Sequence, residues 1–196
     1  MTTGDWPLLR ESIQTPRLLL RPFRFDDADD IYAYASDPEW GRFLAHEQPY
    51  ERRHAEAFLA ERVLAKWRKN PAWAMEQDGR VVGGLSLWLA RRNRRAEIGY
   101  ELARRLWGRG LATEAAAAVI DEAFRLLPIR KVTATASAAN VRSTRLLERL
   151  GMQREALLRQ HWVHRGESLD EVRYGLLREE WQPLAGPAST ERRASR

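Results

Sequence analysis

Apolar residues recur along this chain at two different periods, and the order in which those periods alternate sketches an α/β domain. Leu18, Leu19 and Leu20 form a short apolar run that ends at Pro22 and Phe23, which suits a strand near a sheet edge, where a missing N–H does no harm. Asp26 or Asp27 can then cap a helix carrying Ile31, Tyr34 and Ala35 and stopping at Asp37-Pro38. A second helix places Ala55, Phe58, Leu59, Val63 and Trp67 at helical spacing before Asn70-Pro71. Trp73 to Gln77 and Arg80 to Leu89 flank Asp78-Gly79, a pair that favours the positive-φ turn of a hairpin. Ala96, Ile98, Tyr100 and Leu102 alternate with Glu97, Gly99 and Glu101 as a fourth, half-buried strand. An alanine-rich helix over about Leu111–Leu127 follows, then a fifth strand from Lys131 to Ala136 and a helix from Asn140 to Leu150 with a Gly151 stop. Strand-like stretches near Met152–Val163 and Leu169–Leu177, turned at Arg165-Gly166-Glu167, complete an expected set of about seven strands and about four helices.

Composition changes this picture little. A length of 196 residues suits one domain with a substantial core. The longest apolar stretch, Ala115–Ile120, falls far short of the roughly 20 residues that span a bilayer, so no membrane is expected. Met1 to Gln14 lacks the apolar core of a secretory signal, and a cytoplasmic location is the expectation. The absence of cysteine removes disulfides, thiolate metal sites and a catalytic thiol together.

Charge is more informative. The net charge of +6 comes almost wholly from arginine, since Lys66, Lys69 and Lys131 are the only lysines. Such skew follows as readily from genomic base composition as from an anionic partner. Clustering does not: seven arginines lie between Arg91 and Arg109 against two acids, Glu97 and Glu101, making this stretch locally anion-seeking. Arg192, Arg193 and Arg196 close a tail without apolar period that is expected to fray.

Within the basic stretch, Arg105-Leu106-Trp107-Gly108-Arg109-Gly110-Leu111-Ala112-Thr113-Glu114 joins the fourth strand to the alanine-rich helix. Glycines there let several backbone N–H groups converge at the positive end of a helix, with Arg105 and Arg109 beside them, which makes a pyrophosphate seat. A plain tight turn into a helix reads the same way. A P-loop would need Gly-Lys-Ser/Thr, and a dinucleotide fingerprint would need a third glycine where Thr113 stands. In Asn140-Val141-Arg142-Ser143, Asn140 is a good N-cap and the Ser143 hydroxyl falls in the first turn; alone this is equally a simple capped helix.

Together, in this order, these stretches resemble the GNAT superfamily of acetyl-CoA-dependent N-acetyltransferases, in the branch named for ribosomal-protein N-terminal acetylation (Rim-type). Arg105, Gly108 and Gly110 meet the pattern Gln/Arg-x-x-Gly-x-Gly/Ala, followed by Ala112, Glu114 and Ala115. Thr15-Pro16-Arg17-Leu18-Leu19-Leu20-Arg21-Pro22, Glu97-Ile98-Gly99-Tyr100, Asn140-x-x-Ser143, Leu150-Gly151 and the last hairpin's Gly166, Asp170 and Tyr174 match the branch as well. The resemblance covers Thr15 to Trp181, leaving residues 1–14 as an N-terminal extension and 182–196 as a tail.

The resemblance implies a single-domain fold with a mixed, mostly antiparallel central sheet whose fourth and fifth strands start side by side and splay apart. Pantetheine would lie in that gap, using backbone freed around Tyr100, Glu101 and Leu102. The pyrophosphate of acetyl-CoA would sit on Arg105, Trp107, Gly108, Arg109, Gly110, Leu111 and Ala112. Asn140 would bond the pantetheine arm and Ser143 would lie near the sulfur, donating a proton to the departing thiolate. The family mechanism is direct attack of an amine on the thioester, without a metal or an acyl-enzyme. The partners implied are an amine acceptor, possible as a protein N-terminus, and a second copy in a homodimer; nucleic acid is disfavoured.

One departure matters. Some members of the branch carry a glutamate base towards the end of the sixth strand, where this chain reads Arg159-Gln160-His161-Trp162. Glu97 and His161 are the alternative candidates, each also readable as a structural or surface residue, and water can serve instead. An N-terminal amine with a reference pKa near 7.8 is roughly a third neutral at about pH 7.4, against about one part in a thousand for lysine, so it needs only a weak base. His161 and His164, three apart on a strand, face opposite sides and do not suggest a metal. Trp67, Trp73 and Trp88 read as core or core edge, while Trp40 is placed to line an acceptor pocket. Two other readings stand beside acetylation of a protein N-terminus: acetylation of a small amine, and a non-catalytic CoA- or nucleic-acid-binding module.

Overall fold

The computed structural model describes residues 6–44 and 49–183. Its sheet has eight strands in the order β1-β2-β3-β4-β5-β6-β8-β7, all neighbours antiparallel except β5 and β6. These are β1 Ile13–Gln14, β2 Leu19–Pro22, β3 Ala72–Gln77, β4 Arg80–Ala90, β5 Arg95–Leu102, β6 Lys131–Ser137, β7 Gln153–His164 and β8 Glu167–Leu177. The four α-helices are α1 Ala28–Ala35, α2 Arg52–Leu64, α3 Leu111–Leu126 and α4 Val141–Arg149. The expected α/β class and mixed sheet hold. The strand missed by pattern is β1, two residues pairing Ile13 with Leu20 and Gln14 with Leu19, too short for any periodicity to register.

Each face of the sheet carries its own core. On one, α3 lays Ala115, Ala116, Val119, Ile120 and Ala123 against Leu87, Ile98 and Val132; the alanines let helix and sheet approach closely. Trp6 and Leu9, ahead of β1, pack on this core, and Trp73 beneath them donates its indole N–H to the Arg10 carbonyl. On the opposite face, α1 and α2 bury Ile31, Tyr34, Ala55 and Leu59 against Phe23, Ala74 and Val81. Among the described residues, no helix is long and apolar enough to cross a membrane.

Three local expectations need correction. Asp27 occupies the N-cap position of α1 without capping it: its carboxylate is buried and holds the Arg21 guanidinium, 2.7 Å away, while Glu76 takes Arg21 Nε at 2.6 Å. The Asp27 hydrogen bond, with Glu76 adding to it, raises the Arg21 pKa despite the opposing cost of burial. The second helix stops at Leu64, so Trp67 lies beyond it, edge-on to Trp73 with its indole N–H on the Leu9 carbonyl. Trp88 is no core residue; it is 69% exposed, on the outer part of β4 opposite Glu97. Residues 184–196, the greater part of the expected tail, lie outside the described residues, as do 45–48 in the loop after Trp40.

Candidate functional site

The parallel pairing of β5 with β6 lasts only from Arg95–Lys131 to Glu97–Thr133. Beyond Glu97, β5 continues to Leu102 along β4, while β6 continues to Ser137 along β8. No pairing joins the two strands beyond Glu97 and Thr133, and the gap between them opens a cleft of about 910 Å³. Its lining includes Tyr100, Glu101, Leu102, Trp107, Gly108, Gly110, Leu111, Ala112, Asn140 and Ser143, so most of the residues singled out by sequence meet here.

At one end of the cleft a short 3₁₀ turn, Arg104–Leu106, leads through Trp107 into α3. Gly108 and Gly110 both take positive φ, 76° and 77°, where a side chain would be strained. A Cβ at Gly108 would meet nothing within 4 Å, so the backbone there faces open space. The first amides of α3, which have no intrahelical acceptor, begin immediately after Gly110. Free amides at a helix start beside open space form a cradle that could hold an anion such as a pyrophosphate.

Its shape is fixed from behind. Arg17 donates from Nη1 to the Arg109 carbonyl at 2.8 Å and from Nε to Glu114 at 2.7 Å, and the Thr15 hydroxyl donates to the same Glu114 carboxylate at 2.7 Å. Burial alone would raise the Glu114 pKa, but the bonds from Thr15 and Arg17 outweigh it and hold the carboxyl below its ordinary value. Trp107 donates its indole N–H to the Leu102 carbonyl at 2.8 Å, so that carbonyl is engaged inside the protein. Arg105 and Arg109 are exposed and lie outside the lining. The arginines that do line it are Arg42, Arg62, Arg104, Arg142, Arg145 and Arg149, and Arg142 stacks over the Trp107 ring at 4.7 Å. Sequence reasoning passed over Arg142, although its place two residues after an N-cap put it in the first turn beside Ser143.

Across the gap, Asn140 caps α4 by accepting the Ser143 amide at 3.2 Å. The Ser143 Oγ is 2.8 Å from the Tyr100 hydroxyl, which comes from β5. Burial pushes the Tyr100 pKa up to about 12, with the Ser143 bond acting partly against it, so the phenol stays protonated at neutral pH. Together they form a hydroxyl pair whose two members sit on opposite sides of the divergence.

The proposed bases fare differently. Glu97 is exposed, lies before the strands part, and is outside the lining. His161 also lies outside it, next to a bulge where Gln160 takes a φ of 49°, with Nε2 4.0 Å from Glu171. Trp40 does line the cleft, from a short 3₁₀ turn, together with Phe23 and Phe58. Glu171 on β8, also in the lining, was not anticipated, because one carboxylate in a mixed-charge strand carries no periodic signal.

The family model described as acetyltransferase (GNAT) domain matches residues 17–153. The uncharacterized N-acetyltransferase p20 of Bacillus licheniformis is 31% identical over 177 residues, 87% of this chain and 98% of the relative. A Bacillus subtilis protein provisionally named as ribosomal N-acetyltransferase YdaF is 33% identical over 129 residues, 62% of this chain and 70% of the relative. Among solved structures, a GNAT-family acetyltransferase from Bacillus anthracis superposes with a TM-score of 0.77 at 27% identity, covering 86% of this chain and 99% of that one. The chain belongs to the GNAT acetyltransferase family and is an N-acetyltransferase.

Proposed function

We propose that this enzyme transfers the acetyl group of acetyl-CoA to a primary amine by direct attack, and that the amine is a protein N-terminus. One observation carries the reading: β5 and β6 part just where the Gly108–Gly110 cradle and the Tyr100–Ser143 pair both face the gap. The cradle and Arg142 would take the pyrophosphate, and the Asn140 amide nitrogen, its oxygen being committed to the cap, would donate to the pantetheine arm. As the amine nitrogen bonds to the carbonyl carbon it gives its surplus proton to water in the cleft, and as the C–S bond breaks Ser143 gives its proton to the sulfur; Tyr100, 2.8 Å away and protonated, orients Ser143 and relays a proton back to it from that water.

The N-terminal amine is favoured because, among the described residues, no histidine or lysine lines the cleft, and such a site is best served by an acceptor already partly neutral near pH 7. The likeness to a relative named as a ribosomal N-acetyltransferase points the same way. The test is thiol release from acetyl-CoA with a panel of amines, including peptides headed by Ala or Ser. Turnover of the peptides supports the proposal. Turnover of polyamines or amino acids alone moves the acceptor to small molecules, and CoA binding without turnover of any amine overturns the catalytic reading.

A further inference from the structure

The arginines that line the cleft fall on two sides of the sheet. Arg142, Arg145 and Arg149 come from α4, whose Leu147 belongs to the core beneath α3, and their spacing of three and four puts them on one helix face. Arg42, Arg62 and Arg104 stand on the side where α1 and α2 pack: Arg42 on the 3₁₀ turn Trp40–Phe43, Arg62 on α2, and Arg104 paired with Asp37 just past α1. The first set lies with the Gly108–Gly110 cradle and suits the donor's phosphates. A donor seated there leaves the second set facing whatever enters from the other side.

That second set is loosely held. Arg104 Nη1 lies 3.4 Å from each Asp37 oxygen and Arg42 lies 3.7 Å from Glu39, longer than the roughly 2.7–2.9 Å of a strong charge-assisted bond, and both side chains are more than half exposed. Arg62 is half-buried and has no acidic partner among the described residues; its guanidinium lies 5.0 Å over the Phe58 ring, which meets Phe23 edge to face at 5.3 Å. A ring contact steadies the cation without neutralising it. The carboxylates lining this side are already engaged, Glu39 with Arg42 and Glu101 with the Tyr34 hydroxyl, which donates to it at 3.0 Å. An incoming carboxylate fits such a place, because its two oxygens match the guanidinium fork. Phe23, Trp40, Phe43 and Phe58 in the lining displace water there, so the pair is worth more than on open surface.

We infer that the α1–α2 side of the cleft binds a carboxylate of the acceptor, with Arg62 as its chief partner and Arg42 and Arg104 adding charge. The acceptor is then a chain end with acidic residues close behind its amine. This rests on the reading that the acceptor is a protein N-terminus and that the donor occupies the cradle.

The test uses the full chain saturated with CoA and two amidated peptides, Ala-Glu-Glu-Glu-Gly and Ala-Gln-Gln-Gln-Gly, titrated by calorimetry. The wild-type protein should bind the acidic peptide about tenfold more tightly at low salt, and the preference should shrink as salt rises. Arg62→Gln, which keeps much of the stem over Phe58, should cut the preference to about threefold or less. Arg92→Gln removes the same charge from an exposed residue outside the lining and should leave the preference as it is. Equal binding of the two peptides, failure of both to bind, or a preference that survives Arg62→Gln overturns the inference. So does an equal fall in both variants, which reduces the effect to net charge. A loss of CoA affinity in Arg62→Gln, measured without peptide, also overturns it by giving this arginine to the donor. The N-terminal reading fails separately: an acidic peptide that binds through Arg62 but is not acetylated from acetyl-CoA removes that reading while the carboxylate site stands.

Discussion

The Tyr100 hydroxyl and the Ser143 Oγ, 2.8 Å apart, join β5 to the first turn of α4 over the place where the sheet parts. If this pair delivers the proton to the leaving sulfur, Ser143→Ala should lower kcat about 10- to 100-fold with little change in the KM for acetyl-CoA, because the proton is needed only as sulfur departs. The loss is kept modest by the thiol's own pKa near 8.5. Tyr100→Phe should lower kcat in the same direction by a smaller factor. Steady-state kinetics beside a thermal melt decides the matter: full kcat with a lowered melting temperature would reduce Ser143 to a part of the helix start.

Tyr100 also makes a prediction at alkaline pH. Its folded pKa is raised to about 12, so the unfolded chain, with a tyrosine pKa near 10, ionises first. The stabilisation from keeping this phenol protonated is complete below about pH 10 and lost as pH climbs towards about 12. Between about pH 9 and 11 the wild type should therefore lose about 1 kcal/mol more than Tyr100→Phe. Tyr50, raised to about 12 chiefly by burial, is present in both proteins and cancels. Urea midpoints at the two pH values give the comparison, and parallel losses would contradict it.

Replacing Gly108 and Gly110 together by Val should abolish CoA binding while the fold persists. Both φ angles are positive, and the open space over Gly108 would fill with methyl groups. Calorimetry with CoA, checked by circular dichroism for folding, is the measurement; undiminished affinity would remove the cradle from the site.

Among the arginines, Arg142→Ala should cost about tenfold in CoA affinity, since Arg142 lines the cleft with its guanidinium 4.7 Å over the Trp107 ring. Arg105→Ala and Arg109→Ala, exposed and outside the lining, should cost no more than about threefold, and that loss should vanish at high salt. Titrations at low and high ionic strength distinguish the two classes, and an inverted order would place the phosphates elsewhere.

Much of this site was legible in the sequence because it is built from local backbone events. Gly108, Gly110 and Asn140 announce their turns and caps through residue type alone, and the Asp78-Gly79 hairpin and the alternation over Ala96–Leu102 fix which side chains share a face. What stayed hidden depends on partners distant in sequence. The Tyr34–Glu101 bond spans 67 positions and the Arg17–Glu114 pair 97, and no periodicity links them. Trp88 misled because residue type suggests burial, whereas its place opposite exposed Glu97 on an outer stretch of β4 leaves it in solvent. Arg105 and Arg109 stand outside the cleft lining; charge density in a motif does not say which way each side chain leaves the turn.

The anchoring of Glu114 by Thr15 and Arg17 ties the start of α3 to the hairpin formed by β1 and β2. Anything that steadies the α3 end must steady those strands, and the reverse, because the two share one set of bonds. The turn between the first two strands thus acts as a buttress for the cradle, gripping it from behind at the Arg109 carbonyl. Binding of CoA should slow amide hydrogen exchange at Leu18 and Leu20, on the far side of that buttress from the phosphates, and Arg17→Ala should uncouple the two.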